Sequence, residues 1–300
     1  MKRMLLVINP KSGRGEIVRK LFDVVDLFSR AGYEVEVFPT TTSGDARSRI
    51  QDAGSGFGLI VCAGGDGMMN EAVNAYMNIK NPPHLAYIPC GTTNDFAIAL
   101  KLPRDIIKSA RSILNGHLRM IDIGSLGDTY FSYVAAFGLF TNVPYSTDQN
   151  AKNILGGTAY FLEGIKHLKS IPSIDCIINA DDKMIEGNFM LGIIANTTSI
   201  AGFQFNVEKG TAFDDGLFEV ILISRPKNFQ ELQEIIGILQ GSKKKSGLVI
   251  KTTAKRIEFT FTHPCDWTAD GEYGGQYKTV TVRNLHRMLK IVMPPAPSQK

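Results

Sequence analysis

Four polar, glycine-rich stretches carry the residues best suited to chemistry: NPKSGRG (Asn9 to Gly15), PTTTSGD (Pro39 to Asp45), GGDGMMNE (Gly64 to Glu71) and PCGTTNDFA (Pro89 to Ala97). Glycines let backbone N–H groups approach an anion closely, and a following helix N-terminus adds a favourable dipole. The hydroxyls of Ser12, Thr40 and Thr92 could complete a polyphosphate cradle. Any one such loop is often only a turn. GRGEIV lacks the third glycine of a dinucleotide fingerprint, and no GxxxxGK(S/T) sequence is present. Asp66 and Asp95 stand inside loops otherwise built for anions. A bare carboxylate repels phosphate, so a divalent cation between them is the economical account. The plainer alternative is that each caps the following helix, a reading NDFAIA favours more for Asp95 than GGDG does for Asp66.

Two later stretches add carboxylates. In AFDDGLFEV (Ala212 to Val220), Asp214 and Asp215 read equally well as hairpin punctuation. In TADGEYGG (Thr268 to Gly275), Asp270 and Glu272 flank a glycine, and a flexible turn would present them together. An alcohol that accepts a transferred group needs such a base, because a free hydroxyl is barely ionised at neutral pH.

These residues need elements to position them. MLLVINP, YEVEVFPT, GLIVCAG and HLAYIP read as strands. GEIVRKLFDVVDLFSRAG reads as one helix, and others are expected at SGDARSRIQDAG with Ser43 as N-cap, at NEAVNAYMNI and at DFAIALKL. Strand–helix alternation at this spacing predicts a doubly wound parallel sheet over residues 1–122. Beyond it, MIDIGSLGDTYFSYVAAFG, SIDCIINADDKMIEGNFMLGIIANT, GLFEVILIS, RIEFTFTHPCDWTADGEY and TVTVRN read as strands with polar turns, DDKMIEG as a hairpin turn. Helices GTAYFLEGIKHLKSI and NFQELQEIIGILQG interrupt them. The expected fold is therefore α/β plus β: a three-layer α/β domain, then a β-sandwich-like domain over 123–286. A final strand near 287–294 returns to the first domain.

Composition sets the outer bounds. Three hundred residues, 44% hydrophobic and 21% charged, suit two soluble domains with real cores. A net charge of +4 is too small to indicate nucleic acid, but it suits an anionic ligand or membrane surface. Cys62, Cys90, Cys176 and Cys265 are scattered without zinc-ligand spacing and are expected as reduced, buried thiols. No apolar stretch approaches the roughly 18 residues of a spanning helix. A cytoplasmic protein is expected.

NPKSGRG, GGDGMMNE, CGTTNDFA, DDGLFEV and ADGE, in this order across nearly the whole chain, resemble the soluble bacterial diacylglycerol kinase-like lipid kinases, relatives of the NAD kinases and phosphofructokinases. The resemblance implies an NAD kinase-like first domain that binds ATP through Asn9, Pro10, Lys11, Ser12, Gly13, Thr40, Gly65, Asp66, Gly67, Met68, Met69, Asn70, Glu71 and Thr92. It implies that Asp66 and Asp95 organise a catalytic Mg²⁺ network, that Glu272 is the general base and that Asp270 lies beside it in that network. A second, structural Mg²⁺ falls to Asp215 with the carbonyls of Ala212 and Leu217. The γ-phosphoryl group would pass directly to a lipid hydroxyl, diacylglycerol leading, presented at a membrane surface where the enzyme docks transiently. GSKKKSG with Lys251 and Lys255 could meet anionic headgroups there. A homodimer is also implied. Two positions depart from the family pattern: Met68, where Thr is usual, and Ile98, where an Arg commonly follows. An NAD kinase-like enzyme and a catalytically weak lipid-binding regulator are the competing readings.

Overall fold

The computed structural model describes residues 2–139, 171–196, 199–200, 203–204, 213–239 and 246–295. The chain divides into two compact units, Met1–Asp122 with Arg287–Lys300, and Ile123–His286. It passes between them twice, within strands β5 (His117–Leu126) and β15 (Glu272–Met293).

In the first unit, β1 (Lys2–Ile8), β2 (Tyr33–Pro39), β3 (Leu59–Gly64) and β4 (His84–Pro89) form a parallel sheet in the order β2-β1-β3-β4. The end of β15 adds to β4, with Ile291 opposite Leu85. Every residue of β3 is buried, as a strand covered on both faces must be. On one face Met4, Leu6, Val61 and Ile88 pack with Val24 and Phe28 of α2 (Leu21–Arg30) and Ala110 of α6 (Ile106–Leu114). Leu5, Val7 and Ile60, pointing the other way, are equally buried. Helix α4 (Asp66–Tyr76) packs on β3 and on α3 (Asp45–Ala53). The expected doubly wound α/β architecture is present.

Several boundaries differ from expectation. The first helical stretch breaks at Lys20 into α1 (Glu16–Arg19) and α2, and Lys20 Nζ lies 2.8 Å from Glu16 and 3.5 Å from Asp105. Ser43 is not the cap of α3. That position is Gly44, and the Ser43 hydroxyl instead lies 3.4 Å from Glu71. Helix α5 (Asp95–Ala99) stops short of the expected length. Helix α6 has no counterpart in the sequence reading, although Asp105 caps it by accepting the Lys108 amide at 2.8 Å.

The second unit is antiparallel. β12 (Phe218–Ser224) lies between β13 (Val249–Ala254) and β9 (Lys183–Ala195), and β7 (Val134–Gly138) joins β9 to β14 (Arg256–Ala269). β8 (Ile174–Ala180) pairs with both β9 and β14, and β14 also pairs with β15. β6 (Thr129–Phe131) pairs with β5, and β10 (Ser199–Ile200) with β11 (Phe203–Gln204). The hairpin expected at DDKMIEG turns at Asp181–Asp182, and the rest of that stretch belongs to β9. Strand β13 was not anticipated. TVTVRN and the LKIVM of LKIVMPP lie on the single long strand β15. The core is aromatic: Phe137, Phe259, Phe261 and Trp267 meet at ring separations of 4.9–6.2 Å. Helix α7 (Phe229–Leu239) packs Leu232, Ile235 and Ile238 against the sheet's other side. The expected helix at GTAYFLEGIKHLKSI falls almost wholly outside the described residues.

Candidate functional site

Parallel strands end on one edge, so the loops after β1, β2, β3 and β4 share it. Backbone bonds join them: Asn9 N–H donates to Ala63 at 2.9 Å, Thr40 N–H to Ile8 at 2.8 Å and Cys90 N–H to Gly64 at 2.7 Å. Two glycines are required by close approach. A Cβ on Gly13, whose φ is +57°, would lie 2.5 Å from the Cys90 carbonyl oxygen, and one on Gly91 would lie 2.6 Å from the Gly65 Cα. Any larger residue would force these loops apart.

Within the first loop, Asn9 Oδ1 accepts the Lys11 amide at 3.0 Å, and Ser12 N–H donates to the Asn9 carbonyl at 3.1 Å. Pro10 and Ser12 are half-buried, while Lys11 and Gly13 are exposed. The Thr40 hydroxyl lies 3.3 Å from the Ile8 carbonyl. Gly65, Asp66 and Gly67 are half-buried at the start of α4, and Thr92 is exposed. Met68 and Met69 are 7% and 1% exposed, so their side chains belong to the core. Asn70 receives the Asn74 side-chain amide. Glu71 links two loops: its carboxylate accepts the Gly44 amide at 2.8 Å and the Arg47 amide at 3.3 Å.

Asp66 does cap a helix, but not the one that follows it. Its oxygens accept the Asp95 and Phe96 amides at 3.1 and 3.3 Å, the first turn of α5. Burial pushes its carboxyl up, against the pull of those amides. Asp95 is pushed up to about 6, by burial first and then by the charge of Asp66. Two carboxylates that repel each other among loops shaped for close backbone approach can handle phosphate only with positive charge between them.

Residues that sequence reasoning missed hold this arrangement. The buried Tyr87 hydroxyl donates to the Gly64 carbonyl and reaches Asn94 Oδ1, each at 3.1 Å. Asn94, at φ +55°, accepts the Gly91 amide at 2.9 Å and donates to the Gly91 carbonyl at 2.7 Å. Asp45 accepts the amides and hydroxyls of Thr41 and Thr42 at 2.7–2.9 Å, bonds that hold its carboxyl well below the usual range. Asn before a helix and Thr-Thr before Ser-Gly-Asp were visible signals. Tyr87 carried none.

In the second unit, Asp270 and Glu272 are not presented together. Glu272 is exposed at the start of β15, whereas Asp270 is 3% exposed. One Asp270 oxygen accepts the Ser132 amide and hydroxyl at 2.7 and 2.8 Å, and the other accepts the Tyr133 and Val134 amides at 3.0 and 3.1 Å. Those four bonds fill a carboxylate's acceptor capacity. Burial pushes this carboxyl up while the same donors pull it down. Asp215 is exposed and accepts the Leu217 amide at 2.9 Å. Ala212 lies outside the described residues.

Close-approach loops and paired carboxylates thus meet at one edge of the parallel sheet. Residues 3–126 match the family model of the diacylglycerol kinase catalytic domain, and residues 134–293 that of the YegS C-terminal NAD kinase β-sandwich-like domain. The chain is 36% identical to a diacylglycerol kinase of Bacillus subtilis, covering 98% of this chain and 97% of that one. It is 35% identical to one of Staphylococcus epidermidis, covering 98% and 92%. A crystal structure of a diacylglycerol kinase from Bacillus anthracis superposes with a TM-score of 0.76 at 21% identity, covering 98% and 97% of the two chains. A second chain from that organism reaches 0.84 at 24%, covering 98% and 96%. The chain belongs to the diacylglycerol kinase family of lipid kinases. Its two units are the α/β catalytic and β-sandwich-like parts of that fold.

Proposed function

We propose that the protein transfers the γ-phosphoryl group of ATP to the hydroxyl of diacylglycerol with the help of Mg²⁺. The observation that carries this reading is the Asp66–Asp95 pair, both raised by burial and Asp95 also by the charge of Asp66, among loops whose glycines permit close backbone approach. Mg²⁺ suits such a pair, since it takes one or two carboxylates and completes its shell with water and phosphate oxygens. When bound, the ion neutralises charge on the transferring phosphoryl group.

The chain's own groups do the rest. The loops Asn9 to Gly13 and Gly65 to Glu71, with the hydroxyls of Ser12, Thr40 and Thr92, hold and orient the triphosphate. Met68, Met69 and Glu71 serve the loops' shape, their side chains being occupied elsewhere. Glu272 takes the proton of the acceptor hydroxyl, and the buried Asp270 fixes the turn that carries it. Asp215 and the Leu217 carbonyl would hold a second, structural Mg²⁺, with Ala212 the further ligand the family resemblance implies. No described helix is long and apolar enough to cross a membrane. The substrate is met by transient contact with the membrane surface, and a homodimer is the working assembly.

The test is transfer of label from γ-labelled ATP, with Mg²⁺, to diacylglycerol in mixed micelles, with NAD as a competing acceptor. Chloroform-soluble label, lost in Asp66→Ala and in Glu272→Gln, is the expected result. Label moving to NAD alone, or ATP binding without any transfer, overturns the proposal.

A further inference from the structure

The second unit contains a cavity of about 810 Å³ that the phosphotransfer reading leaves unused. Ser173, Asn188, Ser224, Arg225, Lys227 and Glu231 line it. It lies at the opposite end of the sheet from the turn bearing Asp270. That turn donates its Asp270 amide to Val134, which pairs with Ala195, which in turn pairs with Glu219 at the start of β12. Ser224 ends the same strand. At about 3.3 Å per residue, the two ends stand roughly 20 Å apart.

The cavity's backbone is pinned. Ser224 N–H donates to the Leu248 carbonyl at 2.8 Å and Arg225 N–H to Asn188 at 3.1 Å, and Pro226 is buried. Its charges are not balanced. Arg225 is half-buried and Lys227 exposed, and among the described residues neither has a carboxylate within ion-pair distance. Glu231, the one carboxylate in the wall among the described residues, is committed to the start of α7: it accepts the Lys227 amide at 2.7 Å while Asn228 accepts its own amide at 2.9 Å. Asp175, next along β8, receives the Asn188 side chain at 2.7 Å. That side chain also donates to the Ser173 hydroxyl at 2.9 Å, which leaves the Ser173 proton to donate. Arginine, lysine and serine donors, the two cations without an ion-pair partner among the described residues, are a set matched to a phosphate group.

We infer that this cavity binds a phosphate ester, held by Arg225 and Lys227 with hydroxyl donors from Ser173 and Ser224. The volume lies in the range of small-molecule sites, so the ligand carries a glycerol- or sugar-sized body besides its phosphate. Such chemistry comes either from a soluble phosphate ester or from an anionic phospholipid headgroup.

The test uses the full chain and two probes: glycerol 3-phosphate by calorimetry, and phosphatidylglycerol against phosphatidylcholine vesicles by co-sedimentation. Arg225→Gln combined with Lys227→Gln should weaken at least one probe about tenfold or more. An equal charge loss elsewhere, Lys80→Gln with Lys278→Gln, should leave both within twofold. Glu231→Gln keeps an oxygen for the Lys227 amide while removing negative charge, so it should tighten binding. Loss of glycerol 3-phosphate assigns a soluble ester, and loss confined to vesicles assigns the headgroup. A charge-conserving pair, Arg225→Lys with Lys227→Arg, guards against misfolding and should bind like the parent. Unchanged binding in the double glutamine variant, or equal loss in the control, overturns the inference.

Discussion

Replacing Asp270 with Asn separates a residue that holds a turn from one that acts in the chemistry. The backbone there is left-handed, φ +51°, which Asn tolerates as Asp does, so the substitution tests the side chain alone. Asn has one oxygen for four donors. Its amide is best placed toward Ser132, whose hydroxyl can reverse and accept, but the buried Ser132 N–H then faces another donor. An unsatisfied buried donor costs about 1–3 kcal/mol, and the remaining bonds lose their charge assistance. Asp270→Ala would strand three backbone amides and add left-handed strain, so about 3–5 kcal/mol is expected even after relaxation. For a unit of this size each kcal/mol shifts the midpoint by about 2–4 °C. The chain's single tryptophan, Trp267, is buried in this unit's core, so its fluorescence reports this transition rather than that of the first unit. Parent, Asn and Ala should melt in that descending order, by several degrees at each step. If Asp270→Asn melts with the parent yet has lost transfer activity, Asp270 acts in the chemistry and the clamp reasoning is refuted.

Gly91→Ala places a Cβ 2.6 Å from the Gly65 Cα, so it should raise the KM for ATP at least tenfold while Trp267 still reports a folded second unit. Tyr87→Phe removes the buried hydroxyl that joins Gly64 and Asn94. A loss of about 1–2 kcal/mol in first-unit stability, read by urea denaturation with far-ultraviolet circular dichroism, is expected, and no change would sink that role. Asp95 has its folded pKa raised from 3.8 to about 6, so its favourable contribution is present below about pH 4 and disappears as pH rises through about 6. In chelator at neutral pH, Asp95→Asn should therefore melt higher than the parent, the difference vanishing near pH 4. Added Mg²⁺ should raise the parent's midpoint and leave the variant's unmoved.

The α/β unit was legible because its strands and helices alternate at short range and its central strands are apolar on both faces. The four loops were legible because glycine is the residue that permits Gly13 to approach Cys90 and Gly91 to approach Gly65. What escaped was non-local. Asp270 takes its bonds from a segment 137 residues away, and nothing in ADGE announces that its first carboxylate turns inward. Tyr87 looks like any strand aromatic until its hydroxyl is seen between two loops. Strand β15 was broken in the sequence reading because Gly274, Gly275 and its charges resemble interruptions. Antiparallel pairing with β14, from Arg256 opposite Arg283 to Ala269 opposite Glu272, absorbs them through two register shifts. The Ser43 cap failed for a related reason: Glu71, from another helix, supplies the acceptor that a local side chain was expected to provide.

The two departures from the family pattern have different physical weight. Met68 is 7% exposed and packs beneath the end of β3, where a Cβ on Gly64 would lie 2.7 Å from its sulfur. Gly64 and Met68 are therefore matched in volume, and replacing the thioether by Thr would leave a void under the strand instead of adding a hydroxyl to the cradle. Ile98 differs. It is 47% exposed, one turn beyond Asp95 on α5, so its side chain does no comparable packing. The cost of an isoleucine there is the cation it replaces. The first loop carries two exposed cations, Lys11 and Arg14. Of the two, Ile98 is the position at which a basic residue could strengthen phosphate binding without disturbing the core.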